Sequence, residues 1–359
     1  MEKGGYHVEF FKDFLAALGV LLNGLPQGLL ALTFGFASVP TALAFFVGAI
    51  GNTAVGSISV ISYQAETITV AGTMGKNMRE RLSMIFFGAS IMLVIGLFGL
   101  LEKIVDLIGP IITNGMMAGV GIMLAKVSID MTKSDRLVGA TSMITAVALY
   151  FFTHDLVYTI LGSVVLSSIV GRMAGTIASI PPLDNEKLQL QKLTINQTVI
   201  RGALAMVALN IGANIAFGKI NGEIGNQDVN VDHLTVISSL ADMVSALFGG
   251  APVEVVISAT STAPHAVFAG VLMMVMMGVV LLAGLLPKIG RFVPSTSIAG
   301  FLLVLGMLVT LPNNATAALP GGEDSIVGGV TMAVTALTDP FVGMLAGLIT
   351  QLLVTVFGG

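Results

Sequence analysis

An all-helical, polytopic membrane protein is the fold class this sequence predicts, and three observations carry it. Of the 359 residues, 55% are hydrophobic and only 10% charged, and the mean hydropathy is +0.95. A chain of that composition does not stay in water. Apolar runs recur along its whole length, separated by short charged or Pro/Gly-containing breaks. Finally, the chain repeats itself: GLLEKI at 99–104 returns as GLLPKI at 284–289, a spacing of 185, and Gly115, Gly121 and Gly162 find Gly300, Gly306 and Gly347 at the same spacing. One constant register across four spans is the mark of an internal repeat.

Taken in order, residues 1–12 read as an N-terminal tail without the apolar core or cleavage site of a removable signal peptide. The runs at 13–34, 38–55, 57–74, 81–101, 109–127, 136–153 and 155–173 then form a first repeat, 13–173. A polar linker at 174–197 contains PPLDNEKLQLQKLTINQ. The runs at 198–218, 234–249, 251–264, 266–288, 294–311, 323–338 and 340–358 form a second repeat, 198–359. About fourteen spans result, several shorter than the roughly 20 residues of a perpendicular membrane helix. Upstream the register becomes 197, pairing VGAI at 47–50 with VSAL at 244–247 and Ala54 with Ala251. The loop KNMRERL at 76–82, absent from the second half, explains the change. Seven is odd, so the second copy enters the membrane from the opposite side and the repeats are inverted, an arrangement that places a site near the midplane.

The stretch LADMVSALFGGAPVEVVISATSTAPH at 240–265 is too polar and too broken for an ordinary span. Gly249, Gly250 and Pro252 interrupt it, and Asp242 and Glu254 lie at bilayer depth. Irregular backbone there must be satisfied by protein or line a cavity. Its first-half counterpart is SISVISYQAETITVAGTMG at 57–75. Small and β-branched residues open each, so spans 3 and 10 are expected to be short extended segments leading into half-helices whose N-terminal dipoles face a substrate.

The residues able to bind that substrate are Gln64, Glu66, Asn210, Asn214, Glu254 and Ser258, with Gln27, beside Pro26, reaching in from a kink. Glu254 and Glu66 are the candidate proton carriers, because an intramembrane acid is costly unless it functions. Structural capping of a broken helix is the alternative for both. Asp242, Gly249, Gly250 and Pro252 are read as structural support, Asp242 bracing the backbone of the glycine turn. Asn210 and Asn214, four apart, share a helix face and could equally bond helix to helix.

Other chemistries find little support. There is no cysteine, so thiol catalysis and Cys metal sites are excluded. The four histidines lie at span ends without metal-ligand spacing, and MMVMM at 273–277 reads as packing. GTMGKN at 72–77 lacks the spacing of a phosphate loop. A net charge of −4 spread over loops argues against nucleic acid. No cofactor, metal or catalysis is expected.

The seven-plus-seven plan, the broken third and tenth spans and the stretch around Asp242, Gly249, Gly250 and Glu254 resemble the nucleobase–ascorbate transporters, or xanthine/uracil permeases. The likeness is greatest to the branch carrying guanine, hypoxanthine or xanthine. The resemblance implies a secondary-active permease in the plasma membrane, with spans 1–4 and 8–11 as core and spans 5–7 and 12–14 as gate. It implies a purine substrate and H⁺ coupling. Departures exist: the family's acidic residue in the eighth span is replaced by Asn210 and Asn214, and its Glu or Gln in the tenth falls near Ser258. A sulfate-transporter-type anion permease shares the layout and the Pro26-Gln27-Gly28 triplet, although that family usually carries a further C-terminal domain and the acids would oppose an anion. A channel or non-transporting receptor is the remaining alternative. Glycine-rich spans also allow a homodimer.

Fourteen spans put Lys3, Lys12, Lys103 and Lys219 on the side of the termini and the other twelve basic residues opposite. The positive-inside rule then places the termini outside, whereas the resemblance implies cytoplasmic termini.

Overall fold

The computed structural model describes residues 3–176 and 186–357. Residues 177–185 of the expected linker lie outside the described residues, as do 1–2 and 358–359. In chain order come α1 (Lys3–Thr33), α2 (Ser38–Val55), strand β1 (Val60–Ser62), α3 (Ala65–Met74), α4 (Met78–Leu97), α5 (Leu101–Ile108), α6 (Pro110–Thr132), α7 (Arg136–Thr153) and α8 (Leu156–Met173). After the linker follow α9 (Gln197–Gly225), α10 (Val231–Leu247), strand β2 (Glu254–Val256), a 3-10 turn (Ala259–Thr262), α11 (Ala266–Leu282) and α12 (Leu285–Gly290). A second 3-10 turn (Ser295–Ile298), α13 (Ala299–Val304), a π-helical segment (Leu305–Thr310), α14 (Leu311–Ala318), α15 (Gly322–Leu337) and α16 (Pro340–Phe357) complete the chain.

Eight helices among the described residues are long and apolar enough to cross a membrane, and Tyr158–Met173 and Ala266–Leu282 are shorter apolar helices. The molecule is a multi-pass membrane protein. Contacts divide it into two units: Met1–Glu102 with Pro182–Ala203 and Ala213–Ile289, and Lys103–Pro181 with Leu204–Gly212 and Gly290–Gly359.

In the first unit, the only sheet among the described residues pairs β1 with β2 antiparallel, Val60 opposite Val256, Ile61 opposite Val255 and Ser62 opposite Glu254. Inside a bilayer each strand's amides need a partner. Three residues from each half of the sequence supply one another. Two glycines let helices close over this ladder. A Cβ on Gly48 of α2 would sit 2.6 Å from Ile61, and one on Gly270 of α11 would sit 2.6 Å from Val60.

The described part of the linker belongs to this unit and is fastened along it. The Glu186 carboxylate accepts from Ser38 N (3.1 Å), Ser38 Oγ (2.8 Å) and Val39 N (2.8 Å), capping α2 where Ala37 has no side chain to do so. Gln191 N donates to Leu247 O at 2.7 Å, Arg79 holds the carbonyls of Lys192 and Leu193, and Asn196 Nδ2 donates to Glu80 at 2.9 Å.

In the second unit, Gly121 of α6 and Gly306 of the π-helical segment, one of the glycine pairs found at a spacing of 185, face each other. A Cβ on Gly121 would lie 2.7 Å from Gly306 O. In the first unit the repeated GLL motifs adopt one shape, Gly99 with φ +61 and Gly284 with φ +62, each just before a short helix.

Three expectations change. Helix α1 starts at Lys3, so most of the expected tail forms its first turns. Span 10 contains no half-helix: β2 runs into a four-residue 3-10 turn, because Pro264, which lacks an N–H, follows within two residues. The expected 294–311 span is interrupted by the π-helical segment and extends to Ala318. Eight helices among the described residues have the length and apolarity of a full span, and the expected fourteen would need shorter elements as well.

Candidate functional site

The site is built where the two extended segments cross. Val, Ile and Ser favour the extended backbone of β1. The chain then turns into α3 with Gln64 as N-cap in β conformation (φ −127, ψ 120), and the Gln64 side chain makes no capping bond. Gln64 is 3% exposed, and neither Nε2 nor Oε1 has a hydrogen-bond partner. A buried amide with both ends unused is costly. Ser62 Oγ and Thr69 Oγ1 are also without partners, and Glu66, in the first turn of α3, is buried.

Glu254 opens β2 opposite Ser62 and is 1% exposed. Directly opposite residues of an antiparallel pair project to the same face. Glu254 is therefore part of a strand and not of a half-helix. Asp242, also 1% exposed, accepts from Val253 N at 2.6 Å. It thus bonds the residue after Pro252, not the glycine turn. Its carboxyl neighbours that of Glu254, and two carboxyls can hydrogen-bond each other only if one carries a proton.

The glycine break is fastened by other groups. Gly249 has φ +96, and its carbonyl accepts from Ala37 N at 2.9 Å. Ala251 N donates to Thr41 Oγ1 (2.8 Å) and Ala251 O accepts from Ser245 Oγ (2.6 Å). A Cβ on Gly250 would lie 2.3 Å from Ser245 Oγ and 2.7 Å from Thr41 N, so glycine alone fits.

Ser258 is 2% exposed but engaged: its Oγ accepts from Thr260 N (3.2 Å) and bonds Thr260 Oγ1 (2.6 Å). Asn214 is buried with its Oδ1 unpartnered, whereas Asn210, one helical turn earlier on α9, falls in the second contact unit. Gln27 is half-buried on α1 between Gly24 and Gly28, and the latter packs on Tyr63.

Two residues were missed. Asn221 Nδ2 donates to Val256 O (2.8 Å), and its Oδ1 accepts from Ser258 N (2.9 Å) and Ser261 Oγ (3.2 Å). Asn52 Nδ2 donates to Ser59 O just before β1. Asn221 follows Asn214 by seven residues on one helix, a spacing that keeps the same face, so a signal existed.

With this geometry in hand, the chain can be compared with known proteins. No family model and no curated protein matches the sequence. Among solved structures, the transmembrane domain of a cyanobacterium bicarbonate transporter, BicA, superposes with a TM-score of 0.73 at 13% identity, covering 95% of this chain and 97% of that one. The chain has the fold of the BicA membrane domain. The murine Solute Carrier 26 family member A9 anion transporter matches with a TM-score of 0.69 at 13% identity over 97% of this chain and 68% of its own. A further structure of SLC26A9 gives 0.72 and 14% over 98% and 66%. This chain spans about two thirds of SLC26A9. The fold is thus one that solved membrane transporters also have. The neighbours named here are anion transporters and lend no support to the nucleobase branch.

Proposed function

We propose that this protein is a secondary-active transporter of a small oxyanion, bicarbonate or sulfate in kind, coupled to H⁺, in the plasma membrane. The observation that carries the reading is the likeness to an anion-transporter membrane domain over nearly the whole of both chains. The site's chemistry is compatible with it. The N-terminus of α3 presents a positive dipole end and an unused Gln64 amide.

The coupling follows from magnitudes. A helix end contributes about 0.3–2 kcal/mol to an anion. One ionised carboxylate about 5 Å from that anion opposes it by roughly 3 kcal/mol at an effective dielectric of about 20. With Glu66, Glu254 and Asp242 all buried in this unit, an anion enters only when these acids carry protons. Anion and proton therefore travel together, with the Asp242–Glu254 pair as the proton site and Glu66 as a second candidate. In this reading spans 1–4 and 8–11 form the moving core and spans 5–7 and 12–14 the gate, as two inverted repeats. The antiparallel β1–β2 ladder, the paired Gly99 and Gly284 turns and the facing Gly121 and Gly306 support that symmetry.

A nucleobase is the second reading. It is favoured by the Gln64 amide, a buried donor and acceptor side by side that match the amide edge of a base. Uptake of labelled bicarbonate, sulfate, guanine, hypoxanthine, xanthine and uracil into proteoliposomes, with and without an inward proton gradient, separates the two. Gradient-driven anion uptake that is lost in Glu254→Gln is the expected result. Purine uptake with no anion uptake would transfer the assignment to the nucleobase permeases, and passive flux of any solute would make the protein a channel.

A further inference from the structure

A groove of about 420 Å³ opens on the second unit between α8 and the segment leading out of α12. Its walls are Val164, Val165 and Ile169 of α8 with Phe292 and Val293, and Arg172 stands at its mouth. Val165, Ile169 and Arg172 follow one another at four and three residues, so they line one helix face. Val165, Ile169 and Phe292 are 56%, 50% and 60% exposed. The one other polar side chain of the lining, Ser168, is hydrogen-bonded to Ser297 Oγ at 3.2 Å.

Charge gathers at one end only. The Arg172 guanidinium lies 4.8 Å above the Phe292 ring and has no carboxylate partner among the described residues. A Cβ on Gly171 would lie 3.0 Å from Val138 Cγ2 and 3.3 Å from Pro294 Cγ, which brings the exposed Arg136 and Arg291 to the same end of the unit. The acids of the α6–α7 connection at that end are occupied: Asp135 accepts from Val138 N at 3.1 Å and from Thr176 Oγ1 at 2.8 Å, and Asp130 pairs with Lys133 at 2.6 Å.

Depth fits a lipid. Helix α8 has 18 residues, about 27 Å at 1.5 Å per residue, close to the roughly 30 Å of a bilayer's hydrocarbon. Arg172, next to its last residue, sits at headgroup level, and Val165 lies about 10 Å deeper, among acyl chains. We infer that this groove holds an anionic phospholipid, one acyl chain lying along Val165, Ile169 and Phe292 and the phosphate on Arg172, with Arg136 and Arg291 supplying further positive charge. A zwitterionic lipid fills the apolar part equally well but does not match three guanidiniums whose neighbouring acids, Asp130 and Asp135, are already engaged.

The test is native mass spectrometry of the full chain, delipidated and titrated with phosphatidylglycerol or phosphatidylcholine. The wild type is expected to retain phosphatidylglycerol with a preference on the order of tenfold or more. Arg172→Gln should abolish most of that preference, and Ile169→Trp, which fills the groove with a residue tolerated at an exposed membrane position, should lower retention of both lipids. Equal retention of the two lipids by the wild type would overturn the inference. So would a dimer in the same spectra that Ile169→Trp dissociates while lipid retention is unchanged, since the groove would then belong to a second copy of this chain.

Discussion

The two extended segments that cross in the first unit start alike and end differently. After β1 the chain has ten residues free of proline and builds α3, whose dipole points back at the crossing and whose N-cap, Gln64, leaves its amide unused. After β2 it manages only a four-residue 3-10 turn, whose N-cap, Ser258, spends its hydroxyl on Thr260 N. A turn that short contributes little dipole. In the proposed function the first segment is the one that attracts the substrate, and the second depends on side chains from elsewhere, Asn221 and Asp242, to hold its shape. Sequence symmetry between the halves does not carry over into symmetric duties.

This contrast can be broken, most forcefully at Asn221. Asn221→Ala strips partners from Val256 O, Ser258 N and Ser261 Oγ, and should cost about 2–4 kcal/mol. Thermal melting by circular dichroism suits a chain without Trp or Cys. Little or no change would mean that the second segment supports itself. Asp242→Ala leaves Val253 N and Glu254 without this partner, and about 2–3 kcal/mol should be lost; Asp242→Asn, which keeps an acceptor, should regain stability yet not proton-driven uptake. Ser258→Ala removes an N-cap and should cost about 1 kcal/mol while transport persists. Gln64→Leu should do the reverse, leaving the melting temperature unchanged or raised and abolishing substrate binding. If Ser258→Ala rather than Gln64→Leu stops uptake, the assignment of duties is inverted.

The smallest effect lies outside the membrane. Hydrogen bonds from Val138 N, then from Thr176, hold the Asp135 carboxyl below its usual range. A depressed folded-state pKa stabilises above the unfolded value, about 3.9, and that stabilisation disappears as pH falls through the folded value. The melting difference between wild type and Asp135→Asn should thus be present at neutral pH and shrink below about pH 4. A difference that grows on acidification would contradict the geometry.

Much of the fold could be read from residues. The helix expected at 38–55 is α2, Ser38–Val55, and that at 136–153 is α7, Arg136–Thr153, because an Asp or Ala-Ser start and an αL residue at the end punctuate each in sequence. The crossing was legible as well, from Gly249, Gly250 and Pro252 at bilayer depth. Partners were not. Asn52, Asn221 and Thr41 bind backbone atoms, which have no residue identity to search for, and Thr41 does so across 210 positions. The signal for the 3-10 turn was Pro264, which stands too close after β2 for a half-helix to form. Substrate class escaped the sequence for a different reason: amides and carboxyls serve a base and a protonated anion site equally, so it takes an uptake measurement to separate them.

The β1–β2 ladder also sets a schedule for making the protein. Ser62 finds its opposite, Glu254, about 190 residues later in the chain, which at 5–20 residues per second is roughly 10–40 s of synthesis. Throughout that interval the amides of β1 have entered the membrane without the strand that will satisfy them. The insertion machinery, or water held within it, must shelter the first half until the second arrives, and a ribosome stalled between the two would leave a fragment prone to degradation.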